Sequence, residues 1–563
     1  MKRKDIVVTV LLLVFMALQI VWVILAGMEK AGYFVDELWG CGLANGFYHP
    51  HIYSDDIFLS NQYVGPEFFR DYLEVTTDAF RYDSVFYNLS QDSHPPLYFC
   101  ILHTVFSFFP YQFSKWYGIV PNLAFFLTAS VFLYLIGCRL FRDRFLSMIP
   151  VILWGFSTQT VSYVLMIRMY MMLTMWTLMD AWIHGKYLET GRFEGRKQIL
   201  LLMIVNICGC LTHYYYYIFA FFLSGFTVLF HIRRKETRQA VTYAKVMFGA
   251  VGLALLLFPG IIVTFFTRGA RGRGAVGAVL RFWDFWKKLR GFSVMTKEKA
   301  FYGGNFLILL CALMCAGILI VLFLRKGCRE EYEEAYNVKK GRYKAGLNTV
   351  QPETGRLYGV ILTLTAVTVF AAVAKISPFI ADRYSFMVSP YLWLLAVWFP
   401  AELLKRHPRF QYGVCILMAV IGLSTAYHGK QAGKVMYLFP KEAEVQSVLQ
   451  KYAGDSCIFI AGKEREYAAG SYVLDFQLFS KTLFIGQEKP LEEYDISDSG
   501  PEMIVYIDSE LKQEPVLDAL LAKTRYTSYE IIARGVGVSL GGEEEHYIYR
   551  LLKLPTPKRC VEP

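Results

Sequence analysis

The stretch that decides the fold is MKRKDIVVTVLLLVFMALQIVWVILA, residues 1–26. Basic residues at positions 2–4 come before a nearly continuous apolar run from residue 6 to about residue 26. A run of about 20 apolar residues is long enough to cross the hydrocarbon core of a bilayer as a helix. Because basic residues stay on the cytoplasmic side, the chain is predicted to start inside and to emerge outside. The run is too long for a signal-peptide core, so a retained anchor is expected.

The composition extends this prediction to most of the chain. Of 563 residues, 55% are hydrophobic and only 19% are charged, and the mean hydropathy is +0.35. These values are too apolar for a soluble protein of this size and indicate a polytopic membrane protein. The net charge of +11 comes mostly from short loops between apolar runs, where basic residues set orientation, so it does not indicate nucleic-acid binding. The eleven cysteines show no disulfide framework and no zinc spacing.

Apolar runs predict about eleven transmembrane helices. Their approximate limits are 6–26, 116–137, 145–165, 171–185, 198–212, 214–231, 243–266, 305–324, 357–374, 385–403 and 411–427. With the N-terminus inside, the loops predicted to be cytoplasmic carry clusters of Lys and Arg, which is the expected bias. Residues 97–110 are apolar but too few to span, so they are predicted to lie in the outer interface.

The sequence predicts two domains. Residues 1–428 are expected to form the transmembrane domain, whose first outer loop, 28–115, carries the candidate catalytic residues. Residues 429–563 are mixed in character and are expected to form a small extracytoplasmic α/β domain. Within it, 456–460, 503–507 and 546–551 are predicted strands, and 515–524 is a predicted short helix.

The first candidate site residues are Asp36 and Glu37, about ten residues beyond the first span. A carboxylate at the outer mouth of a helical bundle can accept a proton from a hydroxyl group or help to hold a cation. An acidic pair at this position can equally cap a helix. Neighbouring residues on a helix diverge, so the two side chains are not expected to reach one atom.

Two further candidates are His94 and Arg168. His94 precedes two prolines, which fix an extended turn and hold the imidazole at a defined angle. The same prolines are also typical of an ordinary helix start. Arg168 is placed at an outer turn, where basic residues are rare, so it needs a partner, and a lipid phosphate would match its guanidinium. Snorkelling toward ordinary headgroups is the alternative.

The remaining candidates lie at other predicted outer turns. They are Tyr170, His213, Lys375, Arg383 and Tyr384. The tyrosines are expected in an aromatic belt at the membrane surface, whereas the histidine and the basic residues offer a second group that could bind phosphate. Singly each signal is weak, but the unusual residues gather on one predicted face of the membrane.

These residues resemble the glycosyltransferase C superfamily, in the branch that holds bacterial relatives of protein O-mannosyltransferases and aminoarabinose transferases. The resemblance runs from about residue 36 to residue 390. It rests on Asp36-Glu37, His94-Pro95-Pro96-Leu97-Tyr98, Arg168-Met169-Tyr170, Thr212-His213-Tyr214-Tyr215, and Arg383-Tyr384 with Pro390.

The resemblance implies a transferase that uses a polyprenyl-phosphate-linked sugar and an extracytoplasmic acceptor, which is a cell-envelope glycan, lipid or protein. Asp36 would contact or deprotonate the acceptor, Glu37 would support it, and His94 together with the arginines at outer turns would surround the donor phosphate. No Asp-x-Asp follows Arg168, so a divalent metal is possible but not indicated. The implied location is the plasma membrane, with the lipid bilayer and not nucleic acid as the partner.

Two other classes of function are open at this stage. A transporter or flippase of lipid-linked saccharides would use charged residues deep within spans, and Asp180 is the main candidate. A non-catalytic membrane scaffold that presents the C-terminal domain would leave Asp36 and His94 without a role.

Overall fold

The computed structural model describes residues 3–53, 55–92, 94–260, 284–339, 353–496, 500–536 and 546–553. From the N-terminus its elements are α1 (Arg3–Glu29), α2 (Val35–Asn45), α3 (Asp55–Leu59), β1 (Tyr63–Val64), α4 (Pro66–Leu73), α5 (Tyr82–Gln91), α6 (Leu97–Ser107), α7 (Trp116–Phe141), α8 (Met148–Phe156), α9 (Thr158–Leu165), α10 (Tyr170–Thr190), α11 (Arg196–Cys210), α12 (Tyr215–Arg233) and α13 (Thr237–Leu257). The remaining elements are α14 (Asp284–Lys299), α15 (Asn305–Lys339), α16 (Glu353–Ile376), α17 (Asp382–Ser385), α18 (Ser389–Leu403), α19 (Pro408–Gln431), α20 (Lys441–Leu449), β2 (Ser456–Ile460), α21 (Val473–Phe476), β3 (Lys481–Ile485), β4 (Glu502–Asp508), α22 (Gln513–Lys523), β5 (Ser528–Val536) and β6 (His546–Leu552).

The long apolar helices confirm a polytopic membrane protein. Within the described ranges, eight helices are long and apolar enough to cross a membrane. They are α1, α7, α12, α13, α15, α16, the run Asp382–Leu403 that joins α17 to α18, and α19. The pair α8 and α9, bent by 63°, makes nine if it is one span.

The predicted number of eleven spans is not confirmed. The two remaining predictions, 171–185 and 198–212, fall on α10 and α11, which are helices but do not pass as spans. Helix α11 has only 15 residues, a length of about 22 Å against a hydrocarbon core of about 30 Å. Helix α10 carries buried polar side chains, among them Asp180 and His184, which lower its hydropathy.

The chain folds into two compact units. The first contains Met1–Leu25, Asn122–Val164 and Met169–Met436, and the second contains Ala26–Pro121, Leu165–Arg168 and Tyr437–Pro563. The helices of the first unit approach closely at glycines. A β-carbon at Gly185 would lie only 2.7 Å from the ring of Tyr358, and one at Gly359 only 2.5 Å from Trp398. Close packing at small residues is typical of helices in membranes.

The second unit is built on a six-stranded sheet of order β1-β3-β2-β4-β6-β5. Strands β3, β2 and β4 are parallel neighbours, and the other pairings are antiparallel. Strand β2 is buried along its whole length, as expected for a central strand. The three predicted strands and the predicted helix are confirmed as β2, β4, β6 and α22.

The segment predicted as the first outer loop, residues 28–115, contributes a strand to this sheet. Strand β1 pairs with β3, with Tyr63 opposite Leu483. Phe58 packs on two other side chains of the sheet, with ring centroids 5.3 Å from Phe484 in β3 and 6.3 Å from Phe459 in β2. The boundary predicted at 428/429 divides the chain along the sequence and stays a prediction, whereas in space the loop and the C-terminal segment form one compact unit.

Asp475 is a buried carboxyl group within this unit. It accepts hydrogen bonds from the amide of Gln446 and, at 3.1 Å, from the hydroxyl of Tyr506. Burial, reinforced by the negative charge of Glu442, raises the pKa of Asp475 to about 7, and the two hydrogen bonds oppose the shift. Near neutral pH this group is therefore protonated in a large fraction of folded molecules.

The pKa of Asp475 predicts a pH-dependent stability. An unfolded aspartate releases its proton near pH 4, so the folded state binds the proton more tightly between about pH 4 and pH 7. The contribution of Asp475 is fully present below about pH 4 and is lost as the pH rises through about 7, by about 4 kcal/mol at most. Asp475→Asn mimics the neutral acid and should remove this decline.

The measurement is the labelling rate of the buried Cys457 thiol in the full chain, read by mass spectrometry from pH 5 to 8. The ratio of the wild-type rate to the Asp475→Asn rate should grow with pH, and a constant ratio would contradict the prediction. Glu444→Gln removes an exposed carboxylate from the same helix as Gln446 and is the matched control.

Candidate functional site

The predicted carboxylate pair lies in the first turn of α2. The backbone N–H of Phe34 donates to Oε2 of Glu37 at 2.8 Å, so Glu37 caps its own helix. Acidic side chains in a first turn also complement the positive end of the helix dipole. The side chain of Asp36 is half-buried, whereas Glu37 is completely buried. The two adjacent carboxylates therefore have different environments.

Glu37 holds three segments of the second unit together. Its Oε2 accepts a hydrogen bond from Lys30 Nζ at 3.0 Å, and its Oε1 accepts one from the backbone N–H of Ile167 at 2.8 Å. Lys30 is also buried and donates to the carbonyl of Tyr437 at 2.7 Å. Burial lowers the pKa of Lys30, and the Glu37 carboxylate opposes that shift. Both carboxylate oxygens of Glu37 are therefore occupied by hydrogen bonds from within the protein.

Arg168 lies next to the residue that Glu37 holds. Its Nη1 donates to the backbone carbonyl of Asp36 at 3.0 Å, and its Nη2 lies 3.1 Å from Nε2 of His94. The guanidinium carbon is 5.7 Å from the centroid of the Phe99 ring, a cation–π contact. A β-carbon at Gly40 would lie 3.2 Å from Nη1, so a residue without a side chain suits that position.

The Arg168 guanidinium is buried, and the hydrogen-bond partners that the structure describes for it are not carboxylates. The residue is only 3% exposed, and its polar partners are a carbonyl oxygen and an imidazole nitrogen. Among the residues that the structure describes, its Nε has no hydrogen-bond partner, and no carboxylate forms a salt bridge with it. An uncompensated buried cation is costly, and an incoming anion would offset that cost.

His94 joins Arg168 to a carboxylate that the sequence interpretation did not assign. Nδ1 of His94 lies 2.5 Å from Oδ2 of Asp92, and both side chains are largely buried. An arginine has only donors, so Nε2 of His94 must be the acceptor in its contact with Arg168. The imidazole is therefore neutral, with its proton on Nδ1 and donated to Asp92. Asp92, His94 and Arg168 form one hydrogen-bonded chain.

The other candidate residues lie in the first unit. The ring of Tyr170 is 5.7 Å from that of His213, and the ring of Tyr384 is 5.4 Å from that of Tyr215. His213 and Tyr215 are themselves 4.9 Å apart, which makes the four rings one group. The sequence placed these residues at separate predicted outer turns and did not predict that their rings form one group.

The basic candidates adjoin the same group of rings. Arg383 lies over the rings of Tyr384 and Phe379, at 5.3 and 5.5 Å. Lys375 is in the last turn of α16, two residues before Ser377, whose hydroxyl is 2.9 Å from that of Tyr215. Lys288 of α14, which sequence reasoning missed, donates to the carbonyl of Ser377 at 2.6 Å.

Some of the missed residues had a signal in the sequence. Asp92 stands two residues before His94, and Phe99 continues the motif that follows the prolines. Lys30 and Lys288 had no such signal, because their roles depend on carbonyl and carboxylate groups that are distant in sequence. Among the described residues, no group of three or more His, Cys, Asp or Glu side chains is arranged to hold a metal ion.

The fold and site define a multi-pass α-helical membrane protein with a compact α/β unit that contains a buried cationic site. No protein-family model matches the chain. No curated protein matches it either.

Two solved structures are similar over nearly the whole length. They are ArnT from Cupriavidus metallidurans bound to undecaprenyl phosphate, with a TM-score of 0.46, and the same protein in the apo state, with a TM-score of 0.47. In each case the sequence identity is 11%, and the match covers 96% of this chain and 98% of the other.

The buried Lys30–Glu37 pair leads to a prediction about stability. Glu37→Gln leaves the lysine charge beside an amide, and breaking one side of a buried ion pair costs about 3–5 kcal/mol. Adding Lys30→Met removes the stranded charge, so the double variant should recover part of the loss. The measurement is the thermal unfolding temperature of the purified full chain in detergent. A double variant that is less stable than Glu37→Gln alone would contradict this account.

Proposed function

We propose that the chain is an integral-membrane glycosyltransferase that transfers a sugar from a polyprenyl-phosphate donor to an extracytoplasmic acceptor. The observation that carries the proposal is the buried Arg168 guanidinium, whose partners are all neutral, close to the half-buried Asp36. A phosphate group would supply the missing negative charge, and its oxygens match the guanidinium geometry. The first apolar helix ends only a few residues before Asp36, so a donor held by its lipid tail would be within reach.

The chemistry needs one base and a cationic environment. The acceptor oxygen attacks the anomeric carbon, and the bond from that carbon to the phosphate oxygen breaks. The proton of the acceptor hydroxyl passes to Asp36, and the polyprenyl phosphate leaves with the bonding electrons. Arg168 stabilises the charge that develops on this leaving group. Attack from the side opposite the phosphate inverts the anomeric configuration.

The remaining assignments follow the same proposal. His94, Tyr170, His213, Lys375, Arg383 and Tyr384 are proposed to bind the donor phosphate or its lipid. Glu37 supports Asp36 through the backbone that it holds and not through substrate contact. The proposed location is the plasma membrane, with an extracytoplasmic C-terminal domain. The basic residues at positions 2–4, at the start of the first apolar helix, support a cytoplasmic N-terminus. The acceptor is proposed to be a cell-envelope glycan, lipid or protein.

Within the part of the chain that the structure describes, no specific contact favours the transporter hypothesis. Asp180, the residue that it needs, is buried in α10, with Oδ1 accepting from Asn206 at 3.0 Å and lying 3.2 Å from Nδ1 of His184. Asn206 belongs to α11, so these contacts join two neighbouring helices, as polar residues in membrane bundles commonly do.

The assignment of Asp36 predicts that Asp36→Asn abolishes transfer and leaves the fold intact. Loss of a general base costs about 100- to 10,000-fold in rate. The assay uses the purified chain in nanodiscs with a panel of radiolabelled polyprenyl-phosphate sugars and follows release of sugar from the lipid. Asp71→Asn, at an exposed carboxylate of α4, is the matched control. Near wild-type release by Asp36→Asn protein would remove the catalytic assignment.

The assignment of Arg168 makes a separate prediction. Arg168→Ala should chiefly weaken use of the donor, with kcat/KM for the donor reduced about 100-fold or more. Arg168→Lys keeps the charge but not the planar donors, so it should be intermediate. Steady-state kinetics over a range of donor concentrations measure both variants. A donor KM unchanged in both variants, with transfer intact, would show that Arg168 does not bind the donor.

A further inference from the structure

Asp92 belongs to no predicted part of the site, yet it begins the hydrogen-bonded chain that ends at Asp36. The links are Asp92 to His94 at 2.5 Å, His94 to Arg168 at 3.1 Å, and Arg168 to the carbonyl of Asp36 at 3.0 Å. These residues come from the end of α5, the turn before α6, the residues before α10 and the first turn of α2. The chain of contacts therefore connects four separate segments of the sequence within the second unit.

The position of Asp92 is itself fixed by backbone contacts. Its N–H donates to the carbonyl of Asn88 at 3.1 Å, so Asp92 ends α5. The Asn88 side chain donates to the carbonyl groups of Leu43 and Gly46, which ties α5 to the end of α2. The carboxylate of Asp92 thus reaches His94 from a helix that is attached to the helix of Asp36.

The Asp92 carboxylate determines which nitrogen of His94 carries the proton. A neutral imidazole can carry its proton on either nitrogen, and only the Nδ1–H form leaves Nε2 free to accept from Arg168. A carboxylate beside Nδ1 selects that form because it accepts the proton in a charge-assisted hydrogen bond. The Phe99 ring, with its centroid 6.1 Å from that of His94, packs beside the imidazole and the guanidinium together.

We propose that Asp92 is a positioning residue for the donor phosphate site. It holds His94 in the Nδ1–H form, and His94 in turn holds the Arg168 guanidinium in the orientation that meets the phosphate. Asp92 touches neither the sugar nor the acceptor in this account. This inference rests on the proposed function, because the phosphate is that of the donor.

The experiment is a double-mutant cycle on the full chain in nanodiscs. The variants are Asp92→Asn, His94→Gln and the two together, and the exposed Asp83→Asn on α5 is the control. The amide oxygen of His94→Gln can accept from Arg168 in place of Nε2 but no longer engages Asp92. Binding of radiolabelled decaprenyl phosphate and the steady-state kinetics of sugar transfer are both measured.

Asp92→Asn alone should raise the decaprenyl-phosphate Kd and the donor KM about tenfold, because a charge-assisted hydrogen bond is lost, while kcat changes about threefold at most. In the His94→Gln background the same substitution should change Kd by less than about twofold, since its partner is already absent. An undiminished effect in that background, a fall in kcat at constant KM, or no effect of Asp92→Asn would overturn the inference.

Two further comparisons keep the result interpretable. If Asp92→Asn does not fold, His94→Gln is compared with His94→Asn, which can still donate to Asp92 but does not reach Arg168. Tighter binding by His94→Gln supports the inference, and tighter binding by His94→Asn overturns it. Wild-type protein that neither binds decaprenyl phosphate nor transfers sugar would overturn the proposed function itself. An active wild type whose binding and kinetics are unchanged by Asp92→Asn would overturn only this inference.

Discussion

The buried carboxylate of Glu37 is the contact on which the candidate site depends. It caps α2, neutralises Lys30 and holds the backbone at Ile167, so it fixes both Asp36 and Arg168 at once. Removing a carboxylate and an ammonium group from water is costly, and only full hydrogen bonding offsets that cost. A buried pair of this kind tolerates little displacement, so it fixes the backbone of the segments that carry Asp36 and Arg168.

Arg168, the cation of the candidate site, differs from Glu37 in its partners. Arg168 is buried against a carbonyl oxygen, an imidazole nitrogen and an aromatic ring, none of which carries a negative charge. In a low-dielectric environment such a charge acts strongly on an incoming anion. Glu37, whose carboxylate is fully hydrogen-bonded, and Arg168, whose described partners are not carboxylates, therefore lie in contrasting environments.

The residue pattern alone predicted the class of fold, but it did not predict the contacts of the candidate site residues. Long apolar runs specify spans directly. The pattern fails at α10 and α11, because the burial of polar side chains in α10 and the short length of α11 are seen only in the folded structure. Asp36 and Glu37 were predicted as a pair, since adjacent carboxylates look equivalent in sequence. Their different burial depends on Lys30 and on a backbone N–H some 130 residues away, which no local pattern encodes. Asp92 was not predicted for the same reason. Its interest depends on which nitrogen of His94 carries the proton, and only the contact between His94 and Arg168 indicates that position.

The pairing of β1 with β3 also has a consequence for biosynthesis. Tyr63 must wait for Leu483, about 420 residues later, before its strand can join the sheet. At ribosomal rates of about 5–20 residues per second, this delay is roughly 20–80 seconds. During that time the loop that carries Asp36 has emerged without the strand partner that completes its fold. A nascent chain truncated before the C-terminal segment would therefore leave the loop open to proteases and chaperones, although every residue of the predicted active centre had already been made.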